Sequence, residues 1–160
     1  MKIIMLSTFL LFTVLATTAS CKKEDFKEEN QINGETMDGK TNPIAGTQIK
    51  VKVGTKSFNA TLYSNKTTDA FKTLLPLSLN MTDLNRNEKK FDLTVNLPTN
   101  IEEIGTIQEG DILLWGNNTL VLFYKSFNTP YRYTKIGKIV DVSGLAAVLG
   151  SGDVKVIFEL

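Results

Sequence analysis

From Gln48 onward, apolar residues recur mainly at every second position, the period of a strand with one buried face. In "QIKVKVG", Ile49, Val51 and Val53 share one face and Lys50 and Lys52 the other. Gly54-Thr55 supplies a tight turn, and the chain returns with Phe58, Ala60 and Leu62 inward. The period then changes. Ala70, Phe71, Leu74 and Leu75 fall at helical spacing behind Asn65 or Thr67 as cap, and Pro76 ends the segment. Alternation resumes at Leu77, Leu79 and Met81, passes a turn at Asn85-Arg86-Asn87-Glu88, and continues through Phe91, Leu93, Val95 and Leu97. A loop follows, with Ile101, Ile104 and Ile107 as plugs. Near the end come a strand carrying Ile136 and Ile139, a short helix between Ser143 as its cap and Gly150, and a closing strand with Val154, Val156 and Phe158.

One stretch breaks the alternation. "GDILLWGNNTLVLFY" (110–124) predicts a hairpin of strands 111–115 and 119–125 about a Gly116-Asn117-Asn118 turn, yet both strands are apolar on both faces. One face must fill a core, so the other needs a second cover. Either the aromatic loop "SFNTPYRY" folds over it, or the face is left as a shallow aromatic groove of the kind that takes a peptide or small molecule. The groove would be built from Trp115, Phe123, Tyr124, Phe127 and Tyr131. With about eight strands and two helices, the pattern predicts a mainly β fold, a closed or nearly closed eight-stranded barrel with two short helices capping its mouths.

The first residues carry a different signal. "MKIIMLSTFLLFTVLATTASC" has one lysine, an apolar run too short to span a bilayer, and small residues before Cys21, the only cysteine. Thr18-Ala19-Ser20-Cys21 resembles a bacterial lipobox, with Thr18 where Leu is commoner. Residues 1–20 are therefore expected to be a signal peptide, and Cys21 a lipidated anchor holding the protein to the outer membrane. The alternative is an ordinary secretory signal with an unpaired thiol. Residues 21–46 are rich in charge and poor in apolar groups, and are expected to be a flexible tether with a reach of roughly 25–30 Å. Lys22-Lys23-Glu24-Asp25 resembles the signal that exports some Bacteroidetes lipoproteins to the cell surface. A solvated linker on a periplasmic lipoprotein explains it equally. The domain proper is expected over 47–160, as a monomer.

Composition removes most chemistry. The net charge of +1 offers nothing to nucleic acid. There is no histidine, hence no Ser-His-Asp triad and no typical zinc site, and no glycine-rich phosphate loop. Asp83, Asn85 and Asn87 imitate half a calcium loop, but Glu88 stands where that loop needs Gly and Thr94 where it needs Glu. A polar hairpin turn explains the same residues. Glu102, Glu103, Glu109 and Asp111 could supply an acid and a base but read better as surface carboxylates. No metal or cofactor is expected.

Three segments, "YSNKTTDAFKTLLPLSLNMTDLNRNEKKFDLTVNLPT", "GTIQEGDILLWGNNTLVLFYKSF" and "YTKIGKI" with "GLAAVLGSGDVKVIFE", resemble in order the bacterial cyclophilin-like fold family. The resemblance spans residues 48–160 and implies an eight-stranded barrel capped by two helices. Cyclophilins proper are peptidyl-prolyl isomerases whose groove carries an arginine just after a phenylalanine and a histidine. Here Phe91-Asp92-Leu93 occupies that run without the arginine, and neither Arg86 nor Arg132 lies on a matching segment. No catalytic residue carries over. The resemblance implies the fold and a groove, and leaves three functions open: a non-catalytic peptide or small-ligand binding module, an altered prolyl isomerase, or a structural envelope lipoprotein.

Overall fold

The structure is a computed structural model that describes residues 46–160. The expected signal peptide, Cys21 and the tether up to residue 45 lie outside the described residues.

The described residues form eleven strands: β1 (Thr47–Val53), β2 (Lys56–Leu62), β3 (Leu77–Leu84), β4 (Glu88–Asp92), β5 (Glu102–Glu103), β6 (Thr106–Ile107), β7 (Asp111–Trp115), β8 (Thr119–Phe123), β9 (Phe127–Asn128), β10 (Arg132–Ile139) and β11 (Val154–Glu159). Two helices, α1 (Lys66–Lys72) and α2 (Leu145–Leu149), interrupt them. Eight strands pair in the order β2-β1-β11-β3-β4-β8-β7-β10, and β10 pairs back onto β2. The sheet thus closes into an antiparallel barrel and leaves no edge along these strands.

Closure depends on Gly137. It faces Leu62 of β2 on one side and Ile112 of β7 on the other, beside a register shift between Lys135 and Gly137. A Cβ there would lie 2.7 Å from the carbonyl oxygen of Thr61, so only glycine lets the two strands approach.

The alternating residues read from the sequence fill the barrel: Ile49, Val51, Val53, Ala60, Leu62, Leu79, Met81, Val156 and Phe158 are all buried. From the hairpin, Ile112, Leu114, Leu120 and Leu122 join them. Each of these side chains other than Ala60 contributes about 1.5–3 kcal/mol through its removal from water. Both helices add their apolar side to this core. Phe71 of α1 meets Phe158 edge-on at 5.9 Å, and Leu145 and Leu149 of α2 are buried.

Asn65 is the cap of α1, its side-chain oxygen accepting from the Thr68 amide at 2.8 Å. Ser143 does not cap α2, contrary to expectation. Its amide is taken by Asp141 in a local turn, and Gly144 stands at the cap with φ 80°, where glycine is favoured. The other departure is β4, which begins at Glu88 and stops at Asp92 instead of running to Leu97. Beyond it, the Leu93 and Leu97 amides are held by the Asn118 and Asn117 carbonyls of the hairpin turn. Leu93 and Leu97 stay buried, while Val95 between them is pushed to the surface.

Among the described residues one charged side chain is wholly enclosed. Lys89 of β4 is fully buried beside Tyr124, and its Nζ donates to Asp83 Oδ1 (2.7 Å) and to the carbonyls of Gly150 (2.9 Å) and Gly152 (2.7 Å). The Tyr124 hydroxyl donates to the same Asp83 oxygen at 2.6 Å. A buried ammonium survives only with its donors satisfied. Here it ties the β3–β4 hairpin to the C-terminal end of α2, where a cation also suits the helix carbonyls. Asp83 is therefore already occupied by a cation of the chain itself, and the half calcium loop around it is a structural latch.

Candidate functional site

The second face of the β7–β8 hairpin has a cover of its own. Leu113, Val121 and Phe123 point out of the barrel into a small apolar cluster with Ile107 and Tyr133, and Ile104 and Phe127 pack on it. Phe123 lies 5.8 Å from both the Phe127 ring and the Tyr133 ring, nearly perpendicular to the latter. Two loops make this cover by pairing with each other. Strands β6 and β9 match Thr106 with Asn128 and Ile107 with Phe127, and the Thr106 hydroxyl donates to Asn128 Oδ1 at 2.9 Å. Ile107 is the plug, fully buried, whereas Ile101 is exposed.

The cover stops short of the hairpin tip. What remains is a cavity of about 240 Å³ lined by Leu84, Asn85, Glu88, Lys90, Trp115, Thr119, Val121, Tyr131 and Tyr133. The buried Val121, Tyr133 and Glu88 form its floor. Trp115 and Tyr131, 55 % and 63 % exposed, form its rim.

Of the five aromatic residues expected to make a groove, Trp115 and Tyr131 line this cavity together. The other three are placed elsewhere. Phe123 is wholly buried in the outer cluster, and Phe127 packs against it from the loop. Tyr124 turns the opposite way, into the barrel, where it serves the Lys89 latch. Strand parity explains the split, because consecutive residues of β8 face opposite sides of the sheet.

Glu88 is the residue of the cavity that the sequence did not single out. Leu84–Asn87 is the actual turn, with Asn85 and Arg86 both at positive φ (54° and 57°), so β4 begins one residue earlier than a turn ending at Glu88 implies. Counting back from the inward Phe91 places Lys89 inside and Glu88, Lys90 and Asp92 outside, opposite Phe123, Val121 and Thr119. That parity was the available signal. Glu88 is only 8 % exposed and, among the described residues, its carboxylate has no hydrogen-bond or ion-pair partner. Burial, then the nearby charge of Asp83, pushes its pKa up. Lys90, the one cation in the lining, is drawn instead to Asp92 at 3.4 Å. Asp92 also accepts from the Thr119 hydroxyl at 2.8 Å, and that bond first of all holds its pKa down. The Tyr133 phenol is pushed up to about 12, by burial and then by the charge of Glu88.

Of the other carboxylates weighed in the sequence, Asp111 and Glu102 have partners. Asp111 accepts from the Gln108 amide at 2.8 Å and faces Lys138 at 3.7 Å, and Glu102 pairs with Lys135 at 3.4 Å. Among the described residues no cluster of three or more Cys, Asp or Glu could hold a metal ion, and no helix is long and apolar enough to cross a membrane.

Residues 51–159 match the profile described as the cyclophilin-like family. The fold is similar to the solution structure of the hypothetical protein AF2241 from Archaeoglobus fulgidus, with a TM-score of 0.53 and 20 % identity over 71 % of this chain and 94 % of that one. No curated protein matches the chain.

Proposed function

The chain belongs to the cyclophilin-like family, and on that premise we propose that it is a binding module, without catalysis of its own, held to the outer membrane by lipid on Cys21. Its ligand, a peptide or small molecule, occupies the cavity between Trp115 and Tyr131. The observation that carries this reading is the exposure of those two rings over a cavity, on a face whose remaining apolar surface the protein covers itself. Large aromatic residues left uncovered around a concavity are the usual make-up of a ligand site. The lining contains Lys90 and no arginine, so the group with which cyclophilins stabilise a twisted imide has no counterpart there. This supports binding over isomerisation.

Trp115 is the only tryptophan and reports directly on the cavity. Titration with a panel of blocked tetrapeptides is expected to change its fluorescence saturably, and Tyr131→Ala to weaken that response about fivefold to thirtyfold, the loss of an aromatic contact worth about 1–2 kcal/mol. A flat response to the whole panel contradicts the reading. A rate above background in a protease-coupled proline-peptide assay would favour the altered isomerase instead. For the anchor, mass spectrometry of the mature N-terminus is expected to find a lipidated Cys21.

A further inference from the structure

The cavity lining holds one carboxylate, Glu88, and one ammonium, Lys90. Lys90 lies 3.4 Å from the exposed Asp92, which the Thr119 hydroxyl also engages, and its pull on Glu88 is outweighed by burial and by the charge of Asp83. Glu88, more than nine-tenths buried on the floor, is left without a partner among the described residues. The Glu88 carboxylate opens onto the cavity, since the only sealed side-chain atom without a partner among the described residues is Asn87 Oδ1, and an ionised carboxylate at a half-desolvated site gains from a cationic partner. Of its neighbours on the floor, Val121 is apolar, and the Tyr133 phenol feels the Glu88 charge without bonding to it.

We propose that the cavity selects a ligand bearing a cationic nitrogen, an alkylammonium or a guanidinium, which pairs with Glu88 between the rings of Trp115 and Tyr131. The inference rests on the binding role proposed above and names the chemistry of that ligand. Two independent features favour the same charge. Glu88 attracts a cation and repels carboxylates and phosphates, most strongly where water is thin. Tryptophan and tyrosine faces attract cations through their ring quadrupole. The volume of about 240 Å³ suits one side-chain head group, not several residues. The cation is therefore delivered on a narrow stem, either a lysine or arginine side chain of a peptide or a free alkylamine.

The test follows Trp115 fluorescence in the purified full chain, comparing blocked tetrapeptides that differ at one central residue (lysine, arginine, norleucine or glutamate), with butylammonium as a separate arm. Lysine or arginine is expected to bind at least about tenfold more tightly than norleucine, and glutamate most weakly. Glu88→Gln, nearly isosteric, is expected to bring the lysine and norleucine peptides to the same affinity. Butylammonium as strong as the lysine peptide assigns free amines, and a weaker response assigns a peptide side chain. Both uphold selection of a cation. Equal binding of norleucine and lysine, or a preference that survives Glu88→Gln, overturns the selection yet leaves the groove as a binding site. Silence towards every probe removes both. If Glu88→Gln fails to fold, the order of lysine, norleucine and glutamate on the wild-type protein still decides the matter.

Discussion

At the residue scale, Glu88 and Lys89 are neighbours with opposite fates. Lys89 faces inward and has every nearby acceptor arranged for it, while Glu88 faces outward into a cavity and has none. A carboxyl whose pKa is raised by folding contributes stability that is fully present below its unfolded value and lost as pH rises through the folded one. Ionised Glu88 therefore lowers stability near neutrality. Glu88→Gln is expected to melt at a higher temperature than wild type at pH 7, with the gap closing below the ordinary glutamate pKa of about 4.3. Thermal melts at the two pH values check this, and a lower melting temperature at pH 7 would mean that Glu88 has a stabilising partner after all. A group that costs stability where it stands is a common mark of a site kept for function. Lys89→Ala should behave in the opposite way. Removing one partner of a buried pair costs about 3–5 kcal/mol, because Asp83 and two carbonyls at the end of α2 lose their donor together. Denaturant unfolding measures it.

At the element scale, the β7–β8 hairpin accounts for its own composition. One face belongs to the barrel and the other to the cover made by β6 and β9, so the lack of alternation is the signature of a strand pair buried on both sides. Ile107→Ala is expected to cost about 2–5 kcal/mol, comparable to truncating a barrel residue, because this side chain is fully enclosed although its loop carries only two residues of strand. A cost under 1 kcal/mol by the same unfolding measurement would show the cover to be loosely held. The periodicity made the barrel strands legible because Ile49, Val51, Val53, Leu77, Leu79 and Met81 sit in regular ladders. It could not show where β4 ends, since Leu93 and Leu97 keep the alternation while their amides leave the ladder for the hairpin turn. The cap of α2 was misplaced for a related reason. Ser143 has the right chemistry for a cap, but Asp141 claims its amide, and only Gly144 tolerates the backbone needed.

At the scale of the whole molecule, the fold was readable and the site only partly so. Barrel closure, the two helices and the family order are properties of the strands' apolar faces, which the sequence displays directly. The cavity is a property of where two loops stop. Which aromatic residues face it depends on parity and cover, so Trp115 and Tyr131 came together while Phe123, Tyr124 and Phe127 were claimed by other packing. Glu88 was hidden because a hairpin turn of polar residues looks the same whether its last member is in the turn or begins the strand.

The proposed meeting of protein and ligand at the outer cavity is tested most directly by a chemical-shift map of the amide spectrum during titration with the lysine tetrapeptide. The largest shifts are expected at the Trp115 indole N–H and at the amides of Glu88, Lys90, Thr119 and Tyr131, with the barrel strand β1 and helix α1 unmoved. Saturable shifts confined to another face, with Trp115 and Glu88 unchanged, would contradict it.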